Sequence, residues 1–258
     1  MRRLYTFGCS FTHYVWPTWA DFVGTQFDHF ENWGMAGAGN FYITSKVIEC
    51  NQMNKLTKDD TVLVMLSSFT RHDYITRSSE FKVCGNIYSQ TFYDDDFIEK
   101  YWSEEYGFYM TWFGVNAIKN LLDNIGCDYK IMCGFDLYRK ETHNEIYEDL
   151  TKPRVIKCMK YFETALPGEN LKDYTEKKIL NSKYYEFKDG EVDPHPTISI
   201  HHDWVKDMLP EYYNPSMVEM KDKWESMMDS DKRKLQMIYD GILFDTNKAK
   251  NFTNKIIK

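Results

Sequence analysis

The chain opens on a short mixed run, Arg3 to Phe7, that Gly8 ends, and this predicts a first β-strand. Trp16, Trp19, Phe22 and Val23 then recur at helical spacing. With Pro17 in the first turn, they predict a helix over Trp16 to Phe27. Phe30 to Trp33 reads as a second strand, followed by a small-residue loop over 34–40 and a helix over Phe41 to Met53. The sharpest strand signal is the continuous apolar run from Thr61 to Leu66, after the charged turn Lys58-Asp59-Asp60. A strand buried on both faces of a parallel sheet needs that pattern. Phe97 to Ile125 supports one long or broken helix, which Asn124-Ile125-Gly126 stops, and Tyr129 to Cys133 reads as a fourth strand. The alternation of strand and helix predicts a parallel sheet with helices on both faces. Strand-to-helix turns then gather at the carboxyl edge, where open α/β sheets bind ligands.

After Cys133 the rhythm breaks. Residues 136–187 are charged, tyrosine-rich and weakly periodic, and read as an insertion or cap. A polar loop with two prolines, Lys188 to Thr197, precedes a helix from Ser199 to Leu209. The tail over 211–258 reads as a charged helical extension. Its stripe of Met217, Met220, Trp224, Met227 and Met228 has the spacing of a core contact rather than a cofactor box. The 258 residues are thus expected to form one α/β domain.

Composition narrows the possibilities. Hydrophobic residues make up 43%, enough for a core and too many for a disordered chain. A net charge of -7 argues against nucleic acid or an anionic membrane surface as the main partner. No window approaches 18 uninterrupted apolar residues, so no membrane span is expected. The N-terminal run lacks a signal-peptide core and cleavage site. A cytoplasmic protein is expected, located in the host cytoplasm or the virion if the source is viral. The six cysteines are scattered with no CxxC pair, which fits reduced thiols better than a zinc or disulfide framework.

Three short segments carry candidate chemistry. In Gly8-Cys9-Ser10-Phe11-Thr12 a hydroxyl stands two residues after a strand-ending glycine, at the mouth of the sheet. If a helical turn starts there, free backbone N–H groups surround Ser10 and can hold a developing oxyanion. The plainer alternative is that Ser10 or Thr12 caps a helix. In the loop from Asn32 to Asn40, three glycines let the backbone approach a ligand. There the Gly37 N–H is a second candidate donor and Asn40 a nearby polar contact; the alternative is an ordinary strand-to-helix loop. In Asp193-Pro194-His195-Pro196 a histidine stands ready as a base for a serine, with an acidic residue to fix its tautomer. A metal set from Asp193, His195, His201 and His202 is a further alternative, though no helical His-x-x-x-His pair supports it. No cofactor is called for.

The order of these segments resembles the SGNH, or GDSL-like, hydrolase superfamily. Gly8-Cys9-Ser10 looks like its Gly-Asp-Ser block, with Cys9 in place of Asp, and Gly-Cys-Ser-Phe-Thr is similar to a variant of bacterial and phage members. Trp16 to Ala20 falls where members carry a Trp-Pro helix, Asn32 to Asn40 resembles the second block, and Asp193 to Pro196 the last. The resemblance covers about residues 1–75 and 188–206. It implies a three-layer α/β/α sandwich, flavodoxin-like, with about five parallel strands. It further implies ester hydrolysis by Ser10, His195 and Asp193, with Gly37 at the oxyanion, on an acetyl or short acyl ester of a glycan or lipid. Two departures stand out. The third-block Gly-x-Asn-Asp is replaced by Ser67-Ser68-Phe69-Thr70-Arg71-His72-Asp73, leaving Arg71, or a hydroxyl of Ser68 or Thr70, as substitute donor. Asp and His are two positions apart rather than three, which leaves Asp189 or Glu191 as other partners for the imidazole. The alternative from another class is an impaired member surviving as a carbohydrate-binding or virion-associated module.

Overall fold

The computed structural model describes residues 1–78, 80–89, 92–137, 152–166, 168–179, 184–187, 190, 192–228 and 249–251. Four parallel strands form the centre of the sheet: β1 (Arg3–Phe7), β2 (His29–Asn32), β3 (Asp60–Leu66) and β6 (Asp128–Cys133). Their order is β6-β3-β1-β2, and a fifth strand, β9 (Ala249–Asn251), adds in parallel beside β2. Leu4 to Phe7 of β1 and Val62 to Leu66 of β3 are buried on both faces, as central strands of such a sheet must be.

Helices cover both faces. On one side α1 (Trp19–Gly24) packs against α7 (Ile198–Met208), which also contacts α8 (Met217–Ser226) and α6 (Leu171–Ile179). On the other, α2 (Asn40–Asn54) packs on α4 (Glu104–Ile125), and α4 on α5 (Pro153–Ala165). The fold is therefore a three-layer α/β/α sandwich. In α4 the residues Phe108, Thr111, Val115, Ile118 and Leu122 recur at helical spacing and are buried. Gly126 ends that helix in the left-handed conformation, with φ 74°. Met217 and Trp224 of the C-terminal stripe are buried, and Trp224 meets the Phe22 ring at 4.7 Å.

The structure differs from the sequence pattern in three places. The first helix begins at Trp19, not Trp16, because Thr18 and Asp21 form a capping box that sets its start. The long helix is broken: α3 (Asp95–Tyr101) ends before Ser103, whose side chain accepts from Tyr106 N and caps α4. After β3 comes an unexpected antiparallel hairpin, β4 (Arg71–Ile75) with β5 (Phe81–Asn86). A second small ladder, β7 (Tyr185–Glu186) with β8 (Val192–Asp193), leads into the late histidine loop. Within 136–187 the described residues include α5 and α6; Asp189, Glu191 and most of the tail beyond Met228 lie outside the described residues.

Candidate active site

The turn after β1 depends on Gly8. A Cβ there would sit 2.0 Å from Thr12 Oγ1 and 3.0 Å from the Met65 carbonyl oxygen, so only glycine passes β3 this closely. The N–H groups of Thr12 and His13 both donate to Cys9 O, at 2.9 and 3.1 Å, closing a single helix-like turn around Ser10. Ser10 caps no helix; the N-cap of α1 is Thr18. The residue is 3% exposed, and among the described residues neither its N–H nor its hydroxyl makes a hydrogen bond. Its oxygen is not one of the sealed, unpartnered polar atoms, which include Thr6 Oγ1 and Thr12 Oγ1, so it keeps a small opening.

The late loop meets this turn directly. Asp193 Oδ1 accepts from His195 Nδ1 at 2.7 Å and from the His195 N–H at 3.0 Å. The chain bends at His195, whose own N–H also reaches Asp193, so a spacing of two residues suffices to bring carboxylate and imidazole together. Asp193 Oδ2 accepts from Tyr14 Oη at 2.7 Å. An ionised carboxylate only accepts, so with Asp193 ionised Nδ1 carries the imidazole proton and Nε2 presents its lone pair. Among the described residues Nε2 has no hydrogen-bond partner. The Tyr14 ring stacks on the imidazole at 3.9 Å, and the Phe11 ring, next to Ser10, meets it edge-on at 5.9 Å. Trp16 Nε1 donates to Pro196 O at 2.9 Å, a second tie between the two loops.

The loop between β2 and α2 lies against the same turn. Met35 N donates to Gly8 O at 3.0 Å, and Asn32 Nδ2 to Thr12 O at 2.8 Å. Gly37 has φ +83°, a conformation that favours glycine, and its N–H donates to no group among the described residues. Arg71 reaches in from the start of β4. Its Nη1 donates to Ala38 O at 3.1 Å, and its guanidinium lies 5.2 Å from the centre of the Phe135 ring. Phe135 in turn stacks on Phe11 at 4.9 Å.

The other two candidates are spent locally. Asn40 Nδ2 donates to Ser67 O and to Thr111 Oγ1, each at 3.0 Å, and its Oδ1 accepts from Ser67 N at 2.8 Å. That amide pins the end of β3 to α2 and α4. Ser68 Oγ pairs with Thr70 Oγ1 at 2.8 Å. Of the histidines weighed as metal ligands, His201 is 1% exposed, and burial first, then the neighbouring His195, pushes its pKa down to about 3. His202 Nδ1 pairs with Asp203 Oδ1 at 3.1 Å. Among the described residues no three His, Cys, Asp or Glu side chains are grouped to hold a metal ion.

Two contributors carried no pattern in the sequence. Tyr14 shows its role only through a partner 179 residues away. Asp73 accepts from Gly39 N at 2.9 Å and from Tyr42 N at 3.0 Å, fixing the start of α2. Burial raises its pKa to about 6, against those two hydrogen bonds, which lower it. Beside Asp73 and Arg71 opens a cleft of about 280 Å³ between β4, the start of α2 and α4, with Trp102 at its side. All six cysteines are free and buried, and no described helix is long and apolar enough to cross a membrane.

No family profile and no curated protein matches the chain. Solved structures match it distantly. A lipolytic G-D-S-L family protein from Veillonella parvula shares 11% identity, covering 81% of this chain and 99% of its own, with TM-score 0.42. A GDSL-like lipase from Bacteroides thetaiotaomicron shares 16%, covering 81% and 86%, with TM-score 0.41. A catalytic mutant of an acetylxylan esterase from Geobacillus stearothermophilus shares 12%, covering 82% and 94%, with TM-score 0.46. The chain thus has distant matches to several SGNH or GDSL-like proteins over most of its length.

Proposed function

We propose that the protein is a serine hydrolase that cleaves an acetyl or short acyl ester on a glycan or lipid. In this reading Ser10 Oγ attacks the ester carbonyl carbon while His195 Nε2 takes the hydroxyl proton. Asp193 holds the imidazole and stabilises its charged form, and Tyr14 holds Asp193 in turn. The negative oxygen of the tetrahedral intermediate receives the N–H groups of Ser10 and Gly37, with the Arg71 guanidinium nearby in place of the absent asparagine. The intermediate collapses, and the leaving alcohol takes the proton from His195. A water then gives a proton to His195 and attacks the acyl carbon; the second intermediate collapses, its bond to Ser10 Oγ breaks, Oγ takes the proton back from His195, and the acid leaves.

The observation that carries the reading is the 2.7 Å pair of His195 Nδ1 and Asp193 Oδ1, locked onto the Ser10 turn by Tyr14 and Trp16. An oriented imidazole beside uncommitted backbone N–H groups is the arrangement that a nucleophile, base and oxyanion site needs. A fluorophosphonate probe tests it. Stoichiometric labelling of the wild type, lost in Ser10→Ala, is the expected result. No labelling of a protein with a cooperative thermal transition would overturn the enzyme reading in favour of a carbohydrate-binding or virion-associated module.

A further inference from the structure

The cleft beside Arg71 is built from rings. Phe41, Phe69, His72, Trp102, Tyr106 and Met110 line it, and Arg71 and Asp73 supply its polar side. His72, Trp102 and Tyr106 already stand edge-to-face: His72 meets Trp102 at 5.6 Å and 70°, and Trp102 meets Tyr106 at 5.6 Å and 77°. His72 is held by Tyr93 Oη at Nδ1, 2.7 Å away, and burial lowers its pKa. Phe41 and Tyr106 stay 42% and 43% exposed, and Ile75 at the same mouth 52%. Large apolar side chains left open around one cleft are characteristic of a binding surface.

We infer that this cleft seats a neutral aromatic ring of the substrate. The inference rests on the serine hydrolase reading for the position of the scissile bond, and it narrows the substrate to a glycan or lipid ester that carries an aromatic group. Size fits: a dry apolar cavity of about 150 Å³ holds benzene, and this one, at about 280 Å³, holds a ring with a linker. Shape fits as well, since edge-to-face walls offer a planar guest the offset contacts that aromatic pairs prefer and a flexible chain does not use. Charge fits a neutral guest. Arg71 disfavours a cation, and the Asp73 carboxylate already accepts from Gly39 and Tyr42. Arg71 is the link to the reacting bond. It lines the cleft, and it stacks over Phe135, which stacks on Phe11, the neighbour of Ser10.

Binding to the Ser10→Ala protein tests the inference without turnover, so failed serine chemistry would not disturb it. Benzyl acetate, hexyl acetate and ethyl acetate are titrated by calorimetry or ligand-observed NMR. Benzyl acetate is expected to bind at least tenfold tighter than ethyl acetate and several-fold tighter than hexyl acetate. Adding Tyr106→Ala should remove most of that preference. Adding Phe113→Ala, an exposed ring on α4 outside the cleft lining, should leave it intact. Equal binding of benzyl and hexyl acetate would overturn the aromatic assignment. A benzyl preference insensitive to Tyr106→Ala, or no benzyl preference at all, would overturn the cleft as its seat.

Discussion

The two rims of the parallel sheet are made by the same strands, yet they treat their polar groups in opposite ways. At the amino rim Arg3 grips Asp60 with two nitrogens, at 2.6 and 2.5 Å, and Asp60 also accepts from Thr57 N at 2.7 Å. Arg2 is committed too, through its N–H to Asp28 and its Nη2 to Gln26 O. At the carboxyl rim side chains such as Asp193 and Asn32 are paired as thoroughly, but three polar atoms near them are not. Ser10 N–H, Gly37 N–H and His195 Nε2 have no partner among the described residues. A rim that serves only stability has every reason to close its hydrogen bonds. The carboxyl rim leaves these groups open, and they are the groups the proposed ester hydrolysis would use.

If that contrast is functional, substitutions at the two rims should separate cleanly. The largest effect is expected at His195. In the purified protein, with turnover of a short-chain aryl ester as readout, His195→Ala should lower kcat by on the order of 10⁴-fold or more. Asp193→Asn, which offers Nδ1 an amide in place of a carboxylate, should cost roughly 10²–10⁴-fold. Both should melt near the wild-type temperature, and a large loss of stability would show that this rim is structural after all.

Next in size is Asp73 of β4, which holds the start of α2. Its folded-state pKa of about 6 lies above the ordinary value of 3.8. The folded protein therefore holds that proton more tightly than the unfolded chain. The resulting stability is full below pH about 4 and is lost as pH rises through about 6, by up to roughly 3 kcal/mol. Denaturant titrations across that range should show the decline, and Asp73→Asn should flatten it. A wild type whose stability rises smoothly from pH 4 to 6 with the same slope as Asp73→Asn would remove the claim. The smallest effect is at the closed rim. Arg3→Ala leaves Asp60 buried without its cation and should destabilise by about 2 kcal/mol, less than a fully buried pair because Arg3 is partly exposed. Ser10 labelling should be unchanged. Impaired labelling in a folded Arg3→Ala protein would blur the division between the rims.

How much of this could be read from the residues depends on burial. The strands β1 and β3 are legible as Arg3 to Phe7 and Thr61 to Leu66 because a strand covered on both faces must be apolar throughout. The hairpin over 71–86 escapes notice. Its strands are only partly buried, and Arg71, His72 and Asp73 carry no alternation to mark them. The starts of α1 and α4 hang on single capping side chains, Thr18 and Ser103, which periodicity cannot rank above their neighbours. For the site, short glycine- and proline-marked motifs drew attention to Ser10, Gly37 and His195. The commitments of Asn40 and Ser68 to their own loops depend on where β3, α2 and α4 meet, and that is a tertiary fact. Tyr14 was invisible for the same reason.

The tie between Tyr14 and Asp193 also bears on how the protein is made. Its partners are separated by 179 residues, and those of the Trp16 tie by 180. At roughly 5–20 residues per second of synthesis, the nascent chain presents the first aromatic group on the order of ten to forty seconds before its counterpart exists. Through that interval the turn around Ser10 lacks its contacts with the Asp193-His195 loop. The Ser10 turn is thus made well before the Asp193-His195 loop that the proposed mechanism pairs with it, and a chain cut short between the two would carry the serine without that imidazole.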